Sequence, residues 1–531
     1  MSKNVYLRQN VVAEPLFNQW YAWSYLIAPA TAAMYMSNSH LKIMQSFVSA
    51  PQTHIAALKN PAMMGGPFIN YPASATAEIK GLMERTSKEH TDLLKLSEAI
   101  PRLDEVLAQE AAGFSLEPIY EKVPEPLKGY IELVYDLNNH PSIRFMEGLL
   151  YKSAYYKESA QSLSLSVIDN DDRPFVFSTP SLSSDKRMHL STAFKSEKLD
   201  ELFKMKTSPQ SIGHITEMLG IGPGEAELFS SFFTNDAPPP RQDYSEDGIR
   251  IRYFGHACIL IEAKGVSILC DPVISYKFDS PIDRYTYADL PETIDFALVT
   301  HNHQDHCMFE TLLQLRHKIK NLVVPRSRGG SLSDPSLKLI LQTIGFKNVI
   351  EIEEMEEIAV EGGGIMGLPF LGEHADLDIR TKAAYLIRLH GRSILCAADS
   401  NNIEPLTYKH IHDLTGDVDV LFLGMECAGA PLSWLYGPLL TKPLVRKMDQ
   451  TRRLDGSDSQ KALRIVDQLN ARQVYVYAMG MEPWLTYVTS IAYTAESRPM
   501  VESNKFLEAC RSRGLESERP FGKKEIFLAA R

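Results

Sequence analysis

The chain has 531 residues, 44% of them hydrophobic and 23% charged, with a net charge of −11. At roughly 100–200 residues per domain this is enough for two to four domains with real cores, which excludes disorder as the main state. The acidic balance makes nucleic acid a poor partner, and no run of about 18 apolar residues offers a membrane span.

The N-terminus lacks a basic stretch followed by an unbroken apolar core, which argues against a secretory signal. The cysteines (Cys258, Cys270, Cys307, Cys396, Cys427 and Cys510) show no CxxC spacing. That argues against a disulfide framework and for a reducing, cytoplasmic setting.

In chain order, apolar residues at helical spacing (Ile79, Leu82, Met83, Leu93, Leu94) predict a helix that Ser74 can cap. A second helix is predicted over 127–150. Alternation at Leu163, Leu165 and Val167, and at Phe175 and Phe177, predicts strands that form one hairpin. Helical patches at 208–219 and 225–233 read as a plain helix pair rather than a DNA-binding unit, on the charge argument. The polar stretch 234–248 contains Pro238, Pro239 and Pro240 and reads as a stiff exposed linker. A boundary near 245 follows, leaving 1–245 for packing, substrate docking or oligomerisation. Beyond it, strand-like runs recur at 249–253, 258–262, 267–270, 296–300, 322–324, 384–389, 393–397, 418–423 and 474–477. Helical patterns at 309–317, 335–344 and 460–469 lie between them, which predicts an α/β sandwich of two sheets in 246–531.

The strongest chemical signal is His301-Asn-His303-Gln-Asp305-His306, set between a predicted strand and a helix. Four ligand-type side chains this close cannot all be buried without partners, and at a strand end they can converge on metal. Glu373 and His374 follow a Gly-rich turn. If that segment is extended, neighbouring side chains point to opposite faces and only one can be a ligand. Asp399 follows an apolar strand and is, alone, as much a turn former as a ligand.

His-x-His-x-Asp-His after a strand, a later Gly-x-His-like element and a strand-end aspartate together resemble the metallo-β-lactamase superfamily. Tyr253-Phe-Gly-His256-Ala-Cys with Ser267-Ile-Leu-Cys-Asp271-Pro resembles its opening hairpin. The resemblance covers about 249–490. It implies an αββα sandwich, beside a mixed, mainly helical N-terminal domain, with a dinuclear site at one sheet edge. No histidine follows His412, and the place of the usual late histidine reads Ala478-Met-Gly-Met-Glu482-Pro483-Trp484. With Glu373 as the third-motif ligand, the set is harder and more anionic than a dizinc shell and suits iron or manganese.

That combination resembles the diiron β-hydroxylases, the family of the chloramphenicol-biosynthesis enzyme. They hydroxylate an amino acid held as a thioester on a nonribosomal peptide synthetase carrier domain. The resemblance implies that His301, His303 and Glu373 hold one iron, that Asp305 and His306 hold the other, and that Asp399 bridges them. It implies O2 as co-substrate and a homodimer formed through 1–245. No GxGxxG or P-loop is present, so electrons come from a separate reductase or other electron-donor protein.

Glu373 and Glu426 are the carboxylates assigned catalytic roles. For Glu426, a shifting ligand or proton relay stands beside a plain turn carboxylate. For Glu482, a place supporting a ligand stands against the more ordinary turn carboxylate, and His256 reads as a satisfied core histidine rather than a ligand. Trp434, Tyr436 and Trp484 are candidates for a substrate channel, against the commoner reading of core aromatics, and Cys307 for a small buried residue. Lys442, Arg446, Lys447, Arg452 and Arg453 form a candidate surface for an acidic carrier domain, against a merely solvated helix face. Two other functions compete: a dizinc or dimanganese hydrolase of a lactone, thioester or phosphodiester, and a non-enzymatic iron or oxygen sensor.

Overall fold

A computed structural model describes residues 4–241 and 243–531, so Gln242 of the predicted linker lies outside the described residues. Residues beyond the linker form two seven-stranded sheets packed face to face. In the first, Ile249–Tyr253, Ile259–Ala263 and Val266–Cys270 make an antiparallel meander, and Ile294–Leu298, Ile319–Pro325 and Val349–Ile352 continue it in parallel. Lys524–Leu528 closes the other edge. The second runs antiparallel from Glu357–Val360 through Gly363–Leu368 and Ala384–Leu389 to Arg392–Cys396. It then continues in parallel through Val420–Gly424, Gln473–Tyr477 and Glu516–Glu518.

The two-residue side-chain period explains the layers. Ile249, Ile251 and Tyr253 point between the sheets and pack with Ile261, Ile387 and Phe422. Arg250 and Arg252 point to the other face, each 3.0 Å from Glu262. Helices Pro405–Thr415, Ser459–Leu469 and Arg498–Ser512 cover the second sheet. Helices Phe309–Leu315 and Leu337–Thr343 cover the first, so the order is αββα.

The N-terminal region is mixed. Trp20–Tyr21, Val11–Phe17, Gln161–Val167 and Arg187–Leu190 form a four-stranded sheet. Helices Pro29–Tyr35, Leu41–Ser49, Thr76–Glu89 and Thr91–Glu110 pack around it, the first two joined by a π-helical turn, Met36–His40. Three expectations are corrected. Residues 131–145 form a hairpin, Ile131–Tyr135 with Pro141–Phe145, because the Asp136 carboxylate accepts the Asn138 and His140 N–H groups and turns the chain. Ser74 lies in a short 3-10 turn and caps nothing, since the N-cap is Ala75. Phe175 and Phe177 belong to no strand, and Gln161–Val167 pairs instead with Val11–Phe17 and Arg187–Leu190. No helix among the described residues is long and apolar enough to cross a membrane.

The N-terminal region and the first sheet share one apolar core. Buried charge crosses the same seam. The Arg173 guanidinium donates to Glu14 at 2.8 Å and to both Glu310 oxygens at 2.9 Å, and it lies 3.4 Å over the Tyr487 ring. Arg316 reaches Asp200, and Arg284 reaches Asp171. Close by, the buried Lys206 ammonium lies over the rings of Tyr276 and Tyr287. Burial pushes it down to about 7. Between that value and its ordinary one, the unfolded chain binds the extra proton, so this lysine makes stability rise with pH. Lys206→Met is therefore expected to stabilise the chain by about 1–4 kcal/mol at about pH 6, with the gain fading toward about pH 10. Thermal melts across that range check it, and a gain that grows with pH would contradict it.

Candidate metal centre

The centre is built from loops at the carboxyl ends of the parallel strands, where open α/β sheets place their sites. After Ile294–Leu298, Val299 makes one last sheet bond to Val323, and the chain turns through His301, His303, Asp305 and His306. Asp399 follows Arg392–Cys396. It is accommodated because residue 424 is glycine: a Cβ there would lie 2.5 Å from Asp399 Oδ1. Glu373 enters on a tight turn in which Gly372, Glu373, Ala375 and Asp376 all have positive φ. The segment is thus not extended, which corrects the premise that Glu373 and His374 point to opposite faces. Both are buried, with His374 Nδ1 3.2 Å from Glu373 Oε2.

The six predicted ligands fall into overlapping groups: His301, His303 and Glu373; His301, His306 and Asp399; Asp305 and His306 with His256. His303 Nδ1 lies 2.9 Å from Glu373 Oε1, and His306 Nε2 lies 3.1 Å from Asp399 Oδ2. His301 Nε2 is 3.8 Å from Glu373 and 3.9 Å from Asp399. His301 Nε2 and Asp399 Oδ1 are buried without a hydrogen-bond partner. Orphaned polar atoms are costly in a protein interior, and these turn toward one shared space. Imidazole and carboxylate donors in equal measure fit two first-row cations.

Neighbours decide which ring atoms turn inward. Asp271 Oδ2 lies 2.8 Å from His306 Nδ1 and accepts the Thr300 hydroxyl, while its other oxygen accepts the Thr300 N–H. His306 therefore presents Nε2. Thr300 Oγ1 lies 3.0 Å from His301 Nδ1, which leaves its Nε2 likewise free. His303 differs: Tyr436 Oη lies 3.1 Å from Nε2, so Nδ1 faces Glu373. His256 Nδ1 accepts the Gly480 N–H at 3.1 Å, which makes Nε2 the protonated atom, 3.3 Å from Asp305 Oδ2. A donor at that place orients Asp305 rather than competing with it. His256 has φ +52 and its carbonyl accepts the Ala478 N–H, so the late loop that lacks a histidine serves to hold an early one.

The electrostatics follow. Burial, then the neighbouring imidazoles, push His301 far below the usual imidazole range. Burial pushes the Glu373 carboxyl up to about 7. Burial also raises Asp305, but the bond from His256 and the charge of His306 outweigh it and hold the carboxyl well below its usual range.

Other candidates land elsewhere. Glu426 joins none of the three groups; burial, then Asp399 and Asp455, push its carboxyl up to about 8. Glu482 is buried against the Tyr253 hydroxyl. Cys307 is buried and its thiol raised. Trp434 lines a cavity of about 640 Å3 between the two regions, with Trp20, Trp23, Tyr35 and Phe175. Gln304, between two candidate ligands, also lines it. Trp484 does not line it and is buried under Arg284, in keeping with the core reading of that ring. Sequence reasoning assigned no role to Asp271 or Thr300; it read His256 as a satisfied core histidine, which it is, without its contact to Asp305, and did not pair Tyr436 with His303. The glycine before His256 marks a tight turn and was the one available signal.

Fold and donors together define a class: a metallo-β-lactamase-fold protein with a carboxylate-rich centre for two metal ions. Residues 6–238 match the family described as diiron non-heme beta-hydroxylase N-terminal domain, and 250–435 match the beta-lactamase superfamily domain. The 4-amino-L-phenylalanyl-[CmlP-peptidyl-carrier-protein] 3-hydroxylase of Streptomyces venezuelae is 39% identical over 97% of this chain and 98% of its own length. The crystal structure of CmlA, a diiron β-hydroxylase from that organism, superposes with a TM-score of 0.94 at 37% identity, over 99% of this chain and 100% of CmlA. A mutant of CmlA gives 0.91 over the same shares. The chain belongs to the diiron non-heme β-hydroxylase family. It is a non-heme diiron enzyme, with two iron ions as cofactor and O2 as co-substrate.

Asp271→Asn would place an amide donor against His306 Nδ1 and favour the tautomer protonated at Nε2, the atom that faces the metal space. Iron affinity is expected to fall about 10–100-fold. Elemental analysis after dialysis against a chelator, with circular dichroism to check the fold, reads the outcome; wild-type iron retention would overturn the role given to Asp271.

Proposed function

We propose that this chain β-hydroxylates an amino acid carried as a thioester on a nonribosomal peptide synthetase carrier domain, as its end-to-end relative acts on a carrier-bound amino acid. The observation that carries the reading is the donor set itself, with Glu373 where a hydrolase would offer an imidazole and no late histidine. We assign His301, His303 and Glu373 to one iron, Asp305 and His306 to the other, and Asp399 to both. The 1–245 region is the dimerisation and docking module, and the enzyme works in the cytoplasm with an external electron donor. Six free cysteines, all buried, suit that compartment.

When bound, two irons with O2 and two external electrons supply the oxidant that turns a C–H bond into C–O, the second oxygen leaving as water. The chain's own residues do the rest. Tyr436 and Asp271 hold His303 and His306 in the ring orientations just described, and His256 holds Asp305. Glu426 is half-buried, with its carboxyl raised by burial and the nearby Asp399 and within reach of the Tyr493 hydroxyl, and it is the candidate proton donor. The aromatic cavity that reaches Gln304 receives the aminoacyl end and excludes water from it. The hydrolase alternative has less support, because the relative that spans the whole chain is a hydroxylase.

The test is iron-loaded protein with reductant, O2 and carrier-tethered amino acids. A one-oxygen mass gain is expected, with about two irons per chain. Two zincs that persist when iron is abundant, and no mass gain, would return hydrolysis to the lead. Glu373→His is expected to abolish hydroxylation with the fold intact by circular dichroism, and full activity in that variant would remove Glu373 from the site. Glu426→Gln is expected to slow turnover about 100-fold at unchanged iron content.

A further inference from the structure

The mouth of the aromatic cavity is ringed by a surface that neither the fold nor the metal site explains. On one lip, Gly65 and Phe68 line the cavity, and the preceding Met63 and Met64 are 38% and 44% exposed. Across the mouth lies the helix Arg446–Thr451, which buries no residue. Its Met448 and the adjoining Val445 are 54% and 63% exposed. This helix is tied to the rim. Asp449 accepts the N–H and hydroxyl of Ser433 at 2.8 and 2.7 Å, and Ser433 lines the cavity. The next residue, Trp434, donates to the Gly65 carbonyl across the opening.

Charge follows the same outline. Of the five basic residues at 442–453, Arg452 donates inward to the Ala375 carbonyl and Arg453 to the Gly429 carbonyl. Lys442, Arg446 and Lys447 are exposed. Lys442 lies 3.8 Å from Asp104. With Lys442 paired to Asp104, the outward charge rests on Arg446 and Lys447, and on a chain of net charge −11 two such cations beside four exposed apolar side chains are a local inversion. Exposed apolar clusters with a charged border mark interfaces more than solvated faces.

We propose that this rim, Met63 and Met64 with Val445 and Met448 at its apolar centre and Lys442, Arg446 and Lys447 at its edge, is the docking surface for the carrier domain. The partner it fits is a small domain whose contact face is acidic around an apolar patch. The proposal rests on the carrier-bound reading above. A folded domain cannot enter a cavity of about 640 Å3, so it must stay at the mouth while its flexible thioester arm reaches Gln304. The surface around that mouth is then what meets it, and the cations there set its sign.

The test uses the full iron-loaded chain with two substrates: the carrier-tethered amino acid, and the same amino acid on a short soluble thioester without the domain. The variants are R446E with K447E, and separately M448D, all on exposed side chains. Each is expected to raise KM for the carrier-tethered substrate about tenfold or more, with kcat within about twofold and the short thioester unaffected. The charge variant is also expected to flatten the dependence of KM on salt. An unchanged KM for the tethered substrate would overturn the surface while leaving the hydroxylase standing. Equal losses on both substrates would overturn it too, by placing the effect in the cavity. A wild-type chain that turns over the short thioester but no carrier-bound substrate would remove the carrier reading and this surface together.

Discussion

Three imidazoles and three carboxylates share one buried space, and they are tolerable there only with cations between them. The surrounding architecture answers that constraint. The parallel strands stop together at one edge so that their following loops converge. Asp271, Thr300, Tyr436 and His256 each occupy the atom of a neighbour that must not face the centre. The glycine at 424 and the left-handed turn at 372–376 exist to admit Asp399 and Glu373. Loss of any one of these would leave the donors present but misdirected, which is the usual way a metal site fails.

The same constraint explains what kind of site this is. Replacing a late imidazole by a backbone N–H, that of Gly480, removes a ligand and adds a fixed donor behind His256. Adding Glu373 raises the negative charge facing the ions. Both changes move the donor set from borderline toward hard, which suits redox-active iron more than zinc.

How much of this was legible in the sequence depends on what kind of residue carried the signal. Buried strands such as Ile249–Tyr253 and Ala384–Leu389 were readable, since long β-branched and aromatic runs between breakers have few other uses. The hairpin at 131–145 was not, because its turn rests on one aspartate accepting two backbone N–H groups, which helical periodicity does not register. That the side chains at 301–306 would gather at one place was legible from spacing, but ring orientation was not, because Tyr436 and Asp271 come from distant segments. Glu373 was singled out correctly, but the condition that an extended segment would turn His374 to the other face does not arise, because Gly372 and Glu373 take left-handed φ in a tight turn.

The buried contact of Arg173 with Glu310 has a consequence for how such enzymes diversify. Glu310 belongs to the helix that covers the first sheet, yet its countercharge is supplied from the N-terminal region. Without that region the Glu310 carboxylate would keep the Tyr276 hydroxyl but lose its countercharge, unless another segment brought a cation to the same spot. The two parts therefore depend on each other for charge balance, whereas changes to the loops and surfaces around the cavity carry no such cost.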